Sequence, residues 1–354
     1  MKSRWILFIA IILLILTAAN CGGGGSGSTV RLYVTNAGSA SISAFTLHSD
    51  GSLGSLTGSP YTAGNTPTAV VVAPGGFLLE TNAGGNTIGK FQIDSGGLLT
   101  PFAGPTYTAL TPSSMLLHPS GNFVFVANSG SSNISVYAYS AGSLAEIAGS
   151  PFAAQSGPAQ LAITPSGNFL YVTNQSSSSI SGYSVSSSGA LVPLAGSPFT
   201  TGVGQLPVGI AISPSGSFLY VANRGSNNIS GFTIDSAGNL TPLTGSPFTV
   251  GTAPIAVAWD PSSSFLYVAN QTSADVSGFQ IASDGTPTAI AGSPWTTGGR
   301  GESAIAVDPN GSTVVVLSQA TNTLTVFSKD SSGVLKAGFP QSTGTSPSSL
   351  VITK

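Results

Sequence analysis

Charged side chains are scarce in this chain. Only 6% of its 354 residues are charged, whereas soluble domains usually contain about 25%. Nine Lys and Arg residues against eleven Asp and Glu residues give a formal net charge of −2. Binding to nucleic acid requires a basic patch, which this composition does not supply. We therefore expect no nucleic-acid partner.

Cysteine and histidine are almost as rare. One Cys and two His exclude a disulfide framework and a zinc site built from paired cysteines and histidines. The sequence also contains no phosphate-binding loop, since its Gly-rich stretch at residues 22–25 has no strand and helix around it. We expect neither a cofactor nor a metal.

Long hydrophobic runs are absent except at the start of the chain. Residues 5–19 form one apolar run behind Lys2 and Arg4, and its fifteen residues are short for a membrane span of about 20. Cys21 follows, and a Gly/Ser tract extends to residue 28. The segment resembles a bacterial lipoprotein signal, with ordinary secretion and an uncleaved anchor as alternatives. We predict a signal peptide at 1–20, lipidation of Cys21, a tether at 21–28 and a folded domain at 29–354.

One short pattern recurs seven times through that domain. Its best copies read Leu-Tyr-Val-Thr-Asn or Leu-Tyr-Val-Ala-Asn. A period of 40 to 50 residues containing several short strands indicates a radial β array. The copies end, at spacings of 46, 46, 46, 49, 47 and 48 residues, at Asn36, Asn82, Asn128, Asn174, Asn223, Asn270 and Ser318.

Each period contains four strand-like pieces. An apolar piece follows a proline, the Leu-Tyr-Val piece comes second, an alternating piece third, and a short fourth piece ends in Gly-Ser-Pro and an aromatic residue. The chain enters at a second strand, residues 31–36, and leaves at a first strand, residues 347–354. The sequence therefore predicts an all-β, seven-bladed β-propeller of four-stranded antiparallel blades. One blade is closed by pairing of the N- and C-terminal strands.

These repeats resemble the YVTN-type propellers of the lactonase-like, seven-bladed group, which includes 6-phosphogluconolactonases. The resemblance covers residues 29–354, and it rests on the Leu-Tyr-Val-Thr-Asn pieces, the proline-flanked first strand and the Gly-Ser-Pro-aromatic ending. It implies a propeller fold, in a group that mixes lactone hydrolases with propellers of no established chemistry. No catalytic residue of the lactonases can be placed on a position of this sequence.

The residues that depart most clearly from the repeat are charged. Glu302 stands where six other copies have proline, and Arg300 lies two residues earlier in a Gly-rich loop. Arg224 and Asp275 follow the second strands of neighbouring copies, so we expect all four on one face as ligand-binding candidates, since Arg can hold a carboxylate or phosphate in bidentate fashion. The alternative is a surface Arg–Glu pair worth about 0–1 kcal/mol. Gln160 and Gln205, near the predicted channel, are weaker candidates.

Three other sets of residues have a structural interpretation. The repeated asparagines are expected to bond the backbone of the next loop, with a ring of ligand donors as the alternative. Asp260 and Asp308 precede prolines, as in type I turns, with a Ca²⁺ site as the alternative. His48 and His118 have no obvious partner pattern for catalysis.

This shortage of side chains that could act in catalysis favours a non-catalytic function. We predict a monomeric surface or periplasmic lipoprotein that acts as a binding scaffold. It would meet the membrane only through its lipid, and its partner would be a protein, a glycan or a small molecule. The alternative is a lactonase-type hydrolase at the face of Arg224, Arg300 and Glu302, since hydrolysis needs a placed general base and a group that stabilises negative charge. Export weighs against a sugar-phosphate substrate, which is cytoplasmic.

Overall fold

The computed structural model describes residues 29–102, 107–108, 110–338 and 340–353. The predicted signal peptide, Cys21 and the tether lie outside the described residues. Within them the secondary structure is entirely β, and none of these residues forms a helix that could cross a membrane. The strands form seven antiparallel sheets, the blades of a propeller, which confirms the predicted fold class.

The strands follow the repeat closely, so each blade has the same order of elements. In chain order, blade 1 contains β1 (Val30–Asn36), β2 (Ser41–Leu47), β3 (Leu53–Ser55) and β4 (Tyr61–Thr62); blade 2 contains β5 (Pro67–Ala73), β6 (Phe77–Asn82), β7 (Thr87–Ile93), β8 (Leu99–Pro101) and β9 (Tyr107–Thr108); blade 3 contains β10 (Pro112–Leu117), β11 (Phe123–Asn128), β12 (Asn133–Ser140), β13 (Ser143–Glu146) and β14 (Phe152–Ala153); blade 4 contains β15 (Pro158–Ile163), β16 (Phe169–Asn174), β17 (Ser179–Val185), β18 (Leu191–Pro193) and β19 (Phe199–Thr200); blade 5 contains β20 (Pro207–Ile212), β21 (Phe218–Asn223), β22 (Asn228–Ile234), β23 (Leu240–Pro242) and β24 (Phe248–Thr249); blade 6 contains β25 (Pro254–Trp259), β26 (Phe265–Asn270), β27 (Asp275–Ile281), β28 (Pro287–Ala289) and β29 (Trp295–Thr296); blade 7 contains β30 (Glu302–Val307), β31 (Thr313–Ser318), β32 (Thr323–Lys329), β33 (Leu335–Ala337) and β34 (Gln341–Ser342); and β35 (Pro347–Thr353) returns to blade 1.

The ring is closed by the last strand, as predicted. β35 pairs antiparallel with β1, with Tyr33 opposite Val351, and contacts the innermost strands of both neighbouring blades. Hydroxyl groups connect these strands across the closure. The Ser303 Oγ donates to the Pro347 carbonyl at 2.7 Å, and the Ser348 Oγ donates to the Pro67 carbonyl at 2.7 Å.

The outer edge of each blade is divided between two short strands. In blade 4, β18 pairs with the end of β17, and the two-residue β19 pairs with its beginning. A bend containing the cis peptide Ser197–Pro198 lies between them. The predicted four strands are thus present, and the aromatic residue after the proline begins an additional short edge segment.

The tyrosine of the repeat explains why neighbouring blades stay together. Tyr171 is fully buried, and its hydroxyl donates to the Gly238 carbonyl of the next blade at 2.6 Å. Burial raises the pKa of these phenols, to about 12 for Tyr33, so the hydroxyl remains a donor. The same bond to the next blade is made by Tyr33, Tyr220 and Tyr267.

The two faces of the disc differ in which loops they carry. We call the top face the one at which second strands end and the chain enters the next innermost strand, and the bottom face the opposite one. In every blade the residue after the second strand donates its N–H to the carbonyl of the residue before the innermost strand, as in Arg224 to Leu206 at 3.1 Å. Leu206 has a left-handed φ of 51°. The top-face loops are therefore tied to the inner ring.

Candidate functional site

The top face holds a small group of charged residues in blades 5 to 7. Arg224 follows β21, Asp275 begins β27, and Arg300 lies two residues before β30. Both arginines are exposed, whereas Asp275 is half-buried. The remaining charges of the described chain lie largely in turns of the bottom face or within blades. Three of the four charged candidates of the sequence, Arg224, Asp275 and Arg300, thus share one sector of the top face.

A glutamine that the sequence did not single out connects these blades. The Arg224 Nη2 donates to the Gln271 Oε1 at 2.7 Å, and the Gln271 Nε2 donates to the Glu302 main-chain carbonyl at 3.3 Å. These two bonds run from blade 5 through blade 6 to blade 7. They fix the position of the Arg224 guanidinium and leave its other N–H groups available to a ligand.

Glu302 lies beneath this surface and is not part of it. Its side chain is fully buried, and its Oε1 accepts a bond of 2.6 Å from the Thr297 hydroxyl. Its Oε2 has no partner among the described residues. Burial raises the pKa of the Glu302 carboxyl, the Thr297 bond opposes that rise, and the charge of Asp275 adds to it. No ion pair joins Arg300 to Glu302 among the described residues.

The inward turn of Glu302 has a local steric reason. In blade 7 the usual asparagine is replaced by Ser318, which is shorter and lies directly against Gly299. The Glu302 carboxylate occupies this region, since the Ser318 Oγ lies 3.5 Å from Oε1. Through its bond to Thr297, Glu302 therefore helps to fix the conformation of the loop that carries Arg300.

Asp275 is the acidic group of this face that a ligand can reach. Its Oδ1 accepts a bond of 2.7 Å from the Asn270 Nδ2, which fixes the orientation of the carboxylate. Glu80, which like Glu302 is a buried acidic residue near this face, is 1% exposed and accepts the Gly64 N–H at 2.9 Å. Among the described acidic residues, Asp275 is thus the best placed to accept a proton at the top surface.

The repeated asparagines are structural, but they bond mainly to side chains and not to the next loop. Asn174 Nδ2, for example, donates to the Ser181 Oγ of the third strand at 3.0 Å. The same bond to the serine seven residues later is made by Asn36, Asn128, Asn223 and Asn270. In blade 2, Gly89 replaces that serine, and the Glu80 side chain fills the space.

The two glutamine candidates differ in role from the charged residues of the top face. The Gln160 Oε1 accepts the Ile210 N–H at 2.9 Å, which joins the innermost strands of blades 4 and 5. Gln205 is exposed in the loop before β20, and its main-chain N–H donates to the Ser226 hydroxyl. Gln205 is therefore placed to meet a ligand at the edge of the site, and Gln160 is occupied within the ring.

The aspartates before proline sit in turns of the bottom face. The Asp260 Oδ1 accepts the Ser262 N–H at 2.8 Å, and the Asp308 Oδ1 accepts the Thr313 N–H at 2.6 Å. His118 bonds similarly within its turn, through Nδ1 to Ser120. In the part of the chain that the structure describes, no three His, Cys, Asp or Glu residues come together as a metal site.

Comparison with known proteins identifies the family to which this fold belongs. Residues 26–294 match the model of the family described as "Lactonase, 7-bladed beta-propeller". The chain belongs to this family. A search of curated proteins finds no match.

Solved structures agree on the fold. A Bacteroides fragilis protein to which 6-phosphogluconolactonase activity has been attributed superposes with a TM-score of 0.79 at 18% identity, covering 94% of this chain and 100% of that one. The Pseudomonas aeruginosa periplasmic gluconolactonase PpgL gives a TM-score of 0.76 at 21% identity, covering 92% and 99%. A Lactobacillus plantarum protein gives 0.79 at 21% identity, with the same coverage as PpgL. The family match favours the hydrolase that composition left as the alternative over the non-catalytic scaffold.

Proposed function

We propose that this protein hydrolyses a lactone at the top face of blades 5 to 7. The observation that carries the proposal is the membership of the chain in the lactonase family together with one reachable carboxylate, Asp275, between two exposed arginines, Arg224 and Arg300. Lactone hydrolysis needs a general base and a cation near the carbonyl oxygen. This sector of the top face supplies both kinds of group.

In the proposed reaction, Asp275 takes a proton from water while the water oxygen bonds to the lactone carbonyl carbon. Negative charge then develops on the carbonyl oxygen, and the guanidinium groups of Arg224 and Arg300 stabilise it. Collapse of this intermediate breaks the ring C–O bond, and the departing oxygen receives the proton that Asp275 holds. The product is a hydroxy acid, and no further reactant is needed.

Gln271 and Glu302 serve as positioning residues in this scheme. Gln271 holds Arg224 through a bond of 2.7 Å. The Glu302 carboxylate binds Thr297 inside the Arg300 loop. Neither side chain is expected to contact the reacting atoms.

We also propose that the protein works outside the cytoplasm on a lipid attached to Cys21. The apolar run at residues 5–19 and the single cysteine behind it support this. An unphosphorylated sugar lactone or an acyl lactone fits that location better than a sugar phosphate.

The test is a pH-stat assay of acid release from a panel of sugar lactones and acyl lactones. We expect Asp275→Asn to lower kcat by about 10²-fold or more and Arg224→Ala or Arg300→Ala by a similar factor. Asp284→Asn, in a bottom-face turn of the same blade, is the matched control and should leave kcat unchanged. Failure to hydrolyse any member of the panel would refute the proposed activity.

A further inference from the structure

The seam between blades 6 and 7 is unlike the others on the bottom face. Lys329 is the last residue of β32, the third strand of blade 7. Its counterparts in the other six blades are all apolar or aromatic: Leu47, Ile93, Tyr139, Val185, Ile234 and Ile281. At this strand position, a charged side chain thus replaces a hydrophobic one in blade 7 alone.

Lys329 forms a buried ion pair across this seam. Its Nζ lies 3.1 Å from the Asp260 Oδ2, and the two side chains are only 8% and 3% exposed. The Nζ also lies 4.9 Å from the centre of the Phe265 ring. The desolvation of a buried pair offsets most of its attraction, and apolar residues of similar size stabilise such a position equally well. No other seam has an ion pair among the described residues, so packing here does not require one.

A cavity of about 440 Å³ opens beside the ion pair. Besides Asp260 and Lys329, its polar lining consists of hydroxyl and carboxamide groups from both blades: Ser262, Ser264, Ser331, Gln280 and Asn310. This volume lies within the range of about 300–1,000 Å³ that small-molecule sites occupy. Cavity and ion pair therefore coincide at the same seam.

From this coincidence we propose that the cavity is a binding site for a neutral saccharide. The charges of Lys329 and Asp260 compensate each other, so the cavity offers little attraction to a net anion or cation. Its serine hydroxyls and carboxamides both donate and accept hydrogen bonds, as the hydroxyl groups of a sugar require. The site lies on the face opposite the proposed hydrolytic residues and does not depend on that activity.

Saturation-transfer NMR on the intact folded protein tests the proposal with glucose, galactose, mannose and N-acetylglucosamine as probes and inorganic phosphate as a competitor. We expect at least one sugar to bind and phosphate not to displace it. Gln280→Leu should weaken binding about tenfold, the effect of one lost hydrogen bond. Gln92→Leu makes the same change at the equivalent position of blade 2 and should leave the affinity unchanged.

A double variant, Lys329→Ile with Asp260→Ser, separates binding from folding. It introduces the side chains that Ile281 and Ser213 provide at the neighbouring seam. We expect it to melt no lower than the wild type while sugar binding is lost. Absence of sugar binding in the wild type, displacement by phosphate, unchanged affinity in Gln280→Leu and the double variant, or a large drop in the melting temperature of the double variant would each overturn the proposal.

Discussion

The tyrosine hydroxyls between blades give a prediction whose size follows from the structure. Tyr171 is fully buried, and its hydroxyl donates a hydrogen bond of 2.6 Å to the Gly238 carbonyl. Tyr171→Phe keeps the ring and its apolar contacts but leaves that buried carbonyl without its donor. An unsatisfied buried acceptor costs about 1–3 kcal/mol. We therefore expect the free energy of unfolding to fall by that amount.

Urea denaturation followed by fluorescence measures the change, and the chain supplies its own controls. Tyr61 makes an equivalent bond of 2.8 Å to the Thr57 carbonyl at the exposed edge, so Tyr61→Phe should cost under about 0.5 kcal/mol because water replaces the bond. Tyr267→Phe lies two blades away, and its effect should add to that of Tyr171→Phe within about 0.5 kcal/mol. Equal costs for the Tyr171 and Tyr61 variants would refute the proposed role of the hydroxyl.

Three further predictions concern burial, closure and anchoring. The pKa of Glu302 is raised in the folded state, so the wild type loses stability as pH rises from the unfolded value of 4.5 through that raised pKa. Glu302→Gln should therefore gain melting temperature relative to wild type as pH rises, and parallel pH profiles would contradict this. Removal of residues 347–354 leaves the inner edge of β1 unpaired, so aggregation or a much lower melting temperature is expected; normal melting would exclude closure by β35. Cys21→Ala should abolish the lipid mass shift of the N-terminal peptide, and a shift that persists would place the lipid elsewhere.

The fold could be predicted because the repeat places the same residue types at the same positions. The tyrosine of each best copy is buried and bonds the next blade, and the terminal strands are each missing the partner that the other supplies. Such regularity is visible in the amino-acid sequence alone. The split outer edge was missed because a two-residue strand, such as β19, has no pattern of its own.

The site was only partly predictable because loop side chains take their directions from neighbouring blades. Gln271 stands at a position that is also glutamine in two other copies, at Gln175 and Gln319. The repeat therefore does not single it out, and only the structure brings it to Arg224. Glu302 departs visibly from the repeat, yet its inward turn depends on contacts with Thr297 and Ser318 that the sequence does not show. Lys329 also departs visibly from the repeat, because its six counterparts in the other copies are apolar or aromatic. Its partner Asp260, however, lies in another blade.

The location of the reaction is tested most directly by NMR of arginine side chains with a lactam as a non-hydrolysable lactone analogue. Arg224 and Arg300 lie on the top face, whereas Arg31 lies at the opposite end of β1 and bonds the Ser95 carbonyl. We predict that the analogue shifts the Nε–H resonances of Arg224 and Arg300 and leaves that of Arg31 unchanged. A shift confined to Arg31, or none with an analogue of a lactone that the protein hydrolyses, would contradict a hydrolytic site on the top face.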